Sequence, residues 1–223
     1  TNEGKGVAAV HCVIIGYGTN ERKEKTIFSY DDIAGEPKPN KAKRINGYLV
    51  DAPLVFFDKS KKQVSNEVLM GFGSMPNDGG HLLLSHEEYL EIIAKEPLAK
   101  KYLRPFLGSR EFLNNIKRWC LWFFDRDITE VVIDLRSMPL VNKRLEGVKS
   151  SRLSSSRVST FKLASTPHLF GEIRQPKEGT YLLVPRVSSE DRSYLPIGFL
   201  SSEVICSDAA FSLPNSNLYH FGV

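Results

Sequence analysis

The chain has 223 residues, of which 30 are Lys or Arg and 26 are Asp or Glu, and 41% are hydrophobic. With 25% charged residues and a mean hydropathy of −0.24, this composition is typical of a soluble globular protein and excludes a collagen-like or disordered chain. No apolar run reaches the ~18 residues that a membrane span needs, and the first ten residues lack a secretory signal pattern, so we expect no membrane partner.

The cysteines and the two chain ends indicate the setting of the protein. Cys12, Cys120 and Cys206 are odd in number and far apart, which disfavours a disulfide framework and favours a reducing, cytoplasmic location. Thr1 stands where a complete protein would begin with Met, and an apolar, aromatic stretch ends the chain. We therefore expect a fragment excised from a longer polypeptide.

The first part of the sequence predicts strands separated by turns. Residues 7–17, VAAVHCVIIGY, are apolar and β-branched and predict a buried strand in which His11 is a satisfied core histidine. Residues 26–30, TIFSY, predict a partner strand. Residues 31–47 combine Pro, Gly and charges and predict a loop, and residues 48–58 resume strand composition.

The middle of the sequence predicts helices. Ser85 and Glu88 have the spacing of a capping box, in which a hydroxyl and a carboxylate each bond an otherwise unpaired backbone N–H, so a helix is predicted over residues 86–95. Ser109 is predicted to cap another helix. The strongly apolar residues 118–124, RWCLWFF, predict a strand.

The longest helical candidate covers residues 139–163, with Val141, Leu145 and Val148 at helical spacing on one side. After it come short apolar runs separated by turn residues, which predict a C-terminal meander ending in a strand at LYHFG. The order of strands, helices and strands predicts an α+β fold. We expect one domain over residues 1–223, with several helices, a long basic helix around 139–163 and a curved, largely antiparallel, barrel-like sheet.

Positive charge is concentrated in one part of the chain. Residues 143–177 hold eight basic and two acidic residues, a formal charge of +6, whereas the remainder carries −2. The window also holds seven serines, and guanidinium, ammonium and hydroxyl groups are the usual donors to phosphate. A solvated helix face is the alternative, although acidic partners for i,i+4 pairs are nearly absent. The predicted phosphate-binding residues are Lys143, Arg144, Lys149, Arg152, Arg157, Lys162 and Arg174.

The motifs that carry common chemistries are missing from the sequence. No GxGxxG or Walker loop, no CxxC or HExxH and no Gly-x-Ser-x-Gly elbow occurs. The nearest string to the Asn-Pro-Pro-Tyr tetrad of adenine methyltransferases is Asp-Ala-Pro-Leu at residues 51–54, which lacks the second Pro and the aromatic residue. We therefore predict no catalytic residue, no metal ligand and no bound cofactor.

A polar patch between two apolar runs could read bases. Within residues 181–200 the patch occupies 186–192, where Arg can donate two bonds to guanine, a carboxylate can accept from cytosine and Ser can do either. The alternative is a hairpin loop with a surface Glu–Arg pair. The predicted base-reading residues are Arg186, Ser188, Ser189, Glu190 and Arg192.

Taken together, the sequence resembles the target-recognition region of the MmeI-like, type IIL restriction-modification enzymes and related adenine-specific DNA methyltransferases. The resemblance covers nearly the whole chain and rests on co-linear strings that include GVAAVHCVIIGYG, YLVDAPLVFF, MPNDGGHLLLSHEEY, KYLRPFLGSREFLNNIKRWCLWF, TPHLFGEIRQP and YLLVPRVSSEDRSYLPIGFL. In that family one polypeptide carries a nuclease region, a methyltransferase domain that uses S-adenosylmethionine, and this region.

The resemblance implies a non-catalytic DNA-recognition domain whose partners are duplex DNA and the methyltransferase domain of the same polypeptide. S-adenosylmethionine would belong to the parent enzyme and not to this fragment. The resemblance also implies that the family's variable base-reading positions correspond to residues 186–192 here, with Glu190 and Arg192 as the leading pair. Two alternatives stay open at this point, an enzyme in its own right and a protein-interaction module whose basic window meets an acidic partner.

Overall fold

The computed structural model divides into two compact units, Thr1–Val64 and Ser65–Val223. It describes residues 13–20, 22–32, 34–55, 68–189 and 192–222. His11, Cys12 and Glu190 lie outside the described residues, so the predictions made for them stay predictions, as does the single domain over 1–223. Among the described residues, no helix combines the length and the apolar character that crossing a membrane requires.

The first unit contains an antiparallel strand pair, β1 (Lys25–Ser29) and β2 (Lys38–Ala42). The strand predicted at 26–30 is confirmed. The loop predicted at 31–47 is wrong over β2, because Pro39 is tolerated in a strand that pairs on one side only, opposite Phe28.

Two further strand predictions in this unit are wrong where the structure describes them. Residues 13–17 form no regular element, and Ile14 is fully exposed. Residues 48–55 contribute only an isolated bridge between Ile45 and Asp51, whose carboxylate accepts hydrogen bonds from the backbone N–H groups of Lys43 and Arg44. Strand composition alone does not supply the partner that a strand needs.

The second unit is a mixture of helices and two four-stranded sheets, which confirms the α+β class. Its strands are β3 (Gly71–Phe72), β4 (Leu83–Ser85), β5 (Leu103–Leu107), β6 (Arg118–Leu121), β7 (Thr180–Pro185), β8 (Gly198–Ser201), β9 (Ile205–Cys206) and β10 (Ala210–Pro214). Its helices are α1 (His86–Lys95), α2 (Ser109–Asn114), α3 (Ile128–Leu135), α4 (Pro139–Leu153), α5 (Val158–Lys162) and α6 (Leu218–Gly222), with 3₁₀ turns at Pro97–Tyr102 and Leu163–Ser165.

The central sheet has the strand order β4-β6-β5-β9, and only the β5–β9 pair is parallel. The C-terminal sheet has the order β3-β10-β7-β8 and is antiparallel throughout. Within the described residues neither sheet closes on itself, so the barrel-like curvature expected from the sequence is not confirmed.

Helix α1 begins where the sequence predicts. The Ser85 hydroxyl accepts from the Glu88 N–H at 3.2 Å, and a Glu88 carboxylate oxygen accepts from the Ser85 N–H at 2.8 Å, which is the reciprocal capping box. Ile92 of this helix is buried in the core, against the central sheet. The prediction of a helix over residues 86–95 is confirmed.

Helix α4 is shorter than predicted. Its buried stripe continues the expected spacing, Val141, Leu145 and Val148, for one further turn to Arg152. The helix then ends at Leu153, and the chain folds back through α5 and a 3₁₀ turn, so a continuous helix to residue 163 is wrong. Serine-rich segments compete with the helix for backbone hydrogen bonds, and Arg152 bonds carbonyls of the returning chain.

A second, smaller core lies between the C-terminal sheet and α2. Tyr181 and Leu183 of β7 and Ala210 of β10 are buried there, with Phe112 of α2 packed against them. The chain then ends differently from the prediction: LYHFG forms α6 and not a strand, because the Asn217 side chain accepts from the Tyr219 N–H at 2.9 Å and starts a helical turn.

Candidate nucleic-acid interface

The predicted base-reading patch lies in the loop of residues 186–197 that joins β7 to β8, called here the β7–β8 loop. Arg186, Ser188, Ser189 and Arg192 are all exposed in it. A hydrogen bond of 3.2 Å from the Arg192 N–H to the Ser189 carbonyl narrows the loop. The structure thus brings four of the five predicted base-reading residues onto one exposed loop supported by two paired strands.

Arg186 differs from the others because both its backbone and its side chain are engaged at the stem of the loop. Its N–H donates to the Ser109 hydroxyl at 2.8 Å, and its Nη1 donates to the Asp208 carbonyl at 3.1 Å. The guanidinium carbon lies 5.0 Å from the centroid of the Phe72 ring and 6.0 Å from that of Phe211. These contacts are long-range in sequence, and no local pattern predicts them.

Ser109 has a different role from the predicted one. It is the first residue of α2, and the preceding Gly108 is the N-cap, whose N–H bonds the Glu111 carboxylate at 3.0 Å. Ser109 is 3% exposed, and its hydroxyl bonds the β7–β8 loop and the turn before β10. The prediction that Ser109 caps the helix is therefore wrong.

Arg152 cannot contact phosphate in this fold. It is 1% exposed, and its five N–H donors all bond backbone carbonyls. Burial lowers the pKa of the guanidinium, and the nearby carboxylate of Asp78 opposes that shift. The phosphate-binding role predicted for Arg152 is corrected to an internal one, in which it ties α4 to the segments on either side of it.

Two other predicted phosphate ligands are also engaged within the protein. Arg144 donates to the carbonyls of His81 and Leu83 at 2.7 and 2.5 Å and forms a 3.0 Å ion pair with Glu88. Arg174 donates to the Gly73 carbonyl and pairs with Glu172. Their guanidinium groups hold neighbouring segments together. A count of charges in the sequence cannot distinguish such internal arginines from arginines that contact an external anion.

The remaining predicted phosphate ligands are not engaged in this way. They are exposed, and their charged groups form no ion pair with any residue that the structure describes. They are Lys143 and Lys149 on α4, Arg157 at the start of α5, and Lys162 at its end. Uncompensated positive charge on these two helices attracts anions.

The cysteines and carboxylates of the described residues offer no evident metal chemistry. No group of three or more His, Cys, Asp or Glu is close enough to hold an ion in the part of the chain that the structure describes. Cys120 and Cys206 are free and buried. Burial raises the pKa of both thiols, that of Cys206 to about 12, which makes them poor nucleophiles near neutral pH.

Comparison with known proteins identifies the class to which the chain belongs, the target recognition domains. The family model described as "MmeI, target recognition domain" matches residues 51–223. The chain therefore belongs to the MmeI target recognition domain family, and the resemblance noted in the sequence is confirmed.

Two relatives are much longer than this chain. DNA methyltransferase A of Bacillus subtilis (strain 168) is 32% identical over 222 residues, which cover 100% of this chain and 24% of that protein. A solved structure of the type IIL restriction-modification enzyme MmeI in complex with DNA is 45% identical, with a TM-score of 0.89, and covers 100% of this chain and 29% of MmeI. The chain spans less than a third of the length of either relative.

Proposed function

We propose that this chain is the DNA sequence-recognition domain of an adenine-specific DNA methyltransferase in a restriction-modification system. The observation that carries the proposal is the 45% identity, over the whole chain, to MmeI in complex with DNA. That identity, with a TM-score of 0.89, supports the same fold and a DNA-binding role for this chain. No catalytic role is assigned to any residue of this chain.

Phosphate contact is assigned to the exposed cations Lys143, Lys149, Arg157 and Lys162. Because each of them lacks an internal ion pair among the described residues, its charge is available to a polyanion. Such contacts hold the protein in register on the duplex but carry no sequence information. The serines around residues 150–159 are exposed or half-buried and can add hydroxyl donors to the same surface.

Base reading is assigned to the β7–β8 loop, through Ser188, Ser189, Glu190 and Arg192. Arg192 can donate two hydrogen bonds to guanine, and a carboxylate at position 190 can accept from the amino group of the paired cytosine. Glu190 and Arg192 form the leading pair for one base pair. The role of Glu190 rests on the family resemblance, since that residue lies outside the described ones.

Methyl transfer is assigned to the methyltransferase domain of the same polypeptide, with S-adenosylmethionine as the methyl donor and adenine N6 as the acceptor. This assignment is supported by the relatives, which are about three to four times as long as this chain and include a DNA methyltransferase. In this arrangement the present chain selects the site, and the separate domain modifies it.

Duplex binding measured by fluorescence anisotropy at several salt concentrations tests the proposal. Lys149→Ala with Lys162→Ala should weaken binding to all sequences and reduce the slope of log affinity against log salt by about 1 for each lost phosphate contact. Lys95→Ala is the matched control. Lys95 is also an exposed lysine, but it lies on α1 and forms a 2.6 Å ion pair with Glu91 of the same helix.

Two outcomes would contradict the proposal. Absence of duplex binding by the wild-type chain at low salt, with saturable binding to an acidic protein, would support the alternative of an interaction module. An effect of Lys95→Ala as large as that of the double variant would remove α4 and α5 as the phosphate-binding surface.

A further inference from the structure

The hydrogen-bond ladder of the C-terminal sheet stops at the base of the β7–β8 loop. Pro185 is the last residue of β7 and stands opposite Ala210 of β10, so the following residue, Arg186, has a backbone N–H with no strand partner. The Ser109 hydroxyl of α2 accepts a hydrogen bond from this Arg186 N–H at 2.8 Å. Ser109 is therefore hydrogen-bonded to the chain at the point where it leaves the sheet.

The same Ser109 hydroxyl is bonded on its other side. It donates to the Ala209 carbonyl at 2.5 Å, in the turn that leads into β10. One hydroxyl, 3% exposed, thus joins three segments: the start of α2, the turn before β10 and the stem of the β7–β8 loop. A hydroxyl that donates and accepts at once has its rotation fixed, and so it holds both partners in one geometry.

The side chain of Arg186 is held from the opposite direction. Its Nη1 donates to the Asp208 carbonyl at 3.1 Å, next to Ala209, whose carbonyl accepts the hydrogen bond from the Ser109 hydroxyl. Its guanidinium lies over the pair formed by Phe72 and Phe211, whose ring centroids are 5.0 Å apart. A cation over an aromatic face is attracted by the ring, and the contact is stronger where water is partly excluded.

We propose that Ser109 is a positioning residue for base reading and that Arg186 anchors the β7–β8 loop and does not read a base. The inference rests on the proposed function, and it gives Arg186 a different role from the one predicted from the sequence. Two-bond recognition of guanine needs two free N–H groups on one guanidinium, whereas here Nη1 is bonded to a carbonyl and the group lies over two aromatic rings. The anchor sets where Ser188, Ser189 and Arg192 are presented.

Sequence preference measured position by position separates an anchor from a reader. Duplexes with a randomised central segment are selected by the 223-residue chain and sequenced. Loss of a base reader relaxes the preference at one position, whereas loss of an anchor relaxes it at every position that the loop reads. Ser109→Ala and Arg186→Ala should therefore each lower the preference by about fivefold, roughly the value of one net hydrogen bond, and at the same set of positions.

The two substitutions should also be non-additive. Because both act through one anchor, the double variant should lose little more preference than either single variant. Binding to duplexes of arbitrary sequence should remain within about twofold of wild type in all three, since phosphate contacts are made elsewhere. Arg186 is exposed, so Arg186→Ala keeps the test informative should Ser109→Ala fold poorly.

Hydrogen exchange of the Arg186 amide, followed by NMR without DNA, tests the anchor separately from DNA binding. Ser109→Ala should speed exchange of that amide, and Ser109→Thr, which keeps the hydroxyl, should restore protection. Ser85→Ala is the control for general destabilisation, because it removes a helix cap elsewhere in the protein and should not change Arg186 exchange selectively.

The outcomes distinguish the inference from the proposed function. Wild-type binding without any sequence preference contradicts the proposed function, whatever the exchange data show. Sequence-selective wild-type binding that Ser109→Ala leaves unchanged contradicts the inference alone. A change at a single base position in Arg186→Ala, with Ser109→Ala unaffected there, would return Arg186 to base reading.

Discussion

Replacing Arg152 with Met would remove a buried guanidinium while keeping a side chain of similar length. Five backbone carbonyls would lose their donor at distances of 2.7 to 2.9 Å. They belong to Pro76, Asn77, Leu163, Thr166 and Leu169. The first two precede the central sheet and the others follow α4, so the substitution would separate segments that are distant in sequence.

The expected magnitude follows from those five bonds. A buried carbonyl left without a partner costs about 1 to 3 kcal/mol of stability, but water that enters the site and the packing of the Met side chain offset part of this cost. We expect a net loss of about 3 to 5 kcal/mol, at the upper end of the range for single substitutions, because a buried hydrogen-bond network is broken. At about 2 to 4 °C per kcal/mol for a domain of this size, Tm should fall by about 6 to 20 °C.

Urea and thermal unfolding followed by circular dichroism measure this loss. The matched control is Lys149→Met, one turn earlier on α4, where the side chain is exposed and the change should stay within about 0.5 kcal/mol. Unfolding free energies of the Arg152 and Lys149 variants that agree within 1 kcal/mol would refute the assignment of Arg152 to the interior and restore it as a candidate phosphate ligand.

Two further stability predictions follow from local geometry. A Cβ at Gly73 would lie 2.3 Å from the Ser207 carbonyl oxygen, whereas one at Gly71 would meet nothing within 4 Å. Gly73→Ala should therefore lower the free energy of unfolding by about 1 to 3 kcal/mol in denaturation experiments, and the control Gly71→Ala should leave it almost unchanged. Equal losses of stability would contradict the close approach at Gly73. The Ser85 N–H holds the pKa of Glu88 below its usual range, so ionised Glu88 adds stability that is present above its unfolded pKa of about 4.3 and is lost as pH falls through the lowered folded pKa. The stability gap between wild type and Glu88→Gln should therefore narrow from pH 7 to pH 3 in pH-dependent unfolding, and a constant gap would contradict that origin.

Elements specified by local chemistry could be predicted from the sequence. The capping box of Ser85 and Glu88 fixed the start of α1, and the alternation of residues 26–30 predicted β1. Both signals act within a few residues, so the surrounding fold only has to permit them. The α+β class also follows from the order of such segments along the chain.

Strands that depend on a distant partner could not be predicted in the same way. β2 contains Pro39 and is stabilised by its pairing with β1, and β5 contains Pro105 yet pairs with β6 on one side and β9 on the other. The apolar residues 13–17 read as a buried strand but have no partner among the described residues. Strand formation reflects pairing and burial more than composition.

The charge pattern located a basic region but could not say which cations are free. The spacing of Val141, Leu145 and Val148 continues to Arg152, which lies on the same buried face of α4. The phosphate prediction instead followed the general rule that charged side chains are exposed. Arg152 is buried because five backbone carbonyls converge on its guanidinium, and segments distant in sequence supply them.

The most direct test of the division between backbone contact and base reading is selection from a pool of randomised duplexes by the wild-type chain, Arg192→Ala and Lys149→Ala. We predict that Arg192→Ala changes the preferred base at one position and leaves the salt dependence unchanged. Lys149→Ala should select the wild-type sequence with lower affinity and a shallower salt slope. The reverse pattern, with an altered sequence for Lys149→Ala and an unaltered one for Arg192→Ala, would contradict this division of roles.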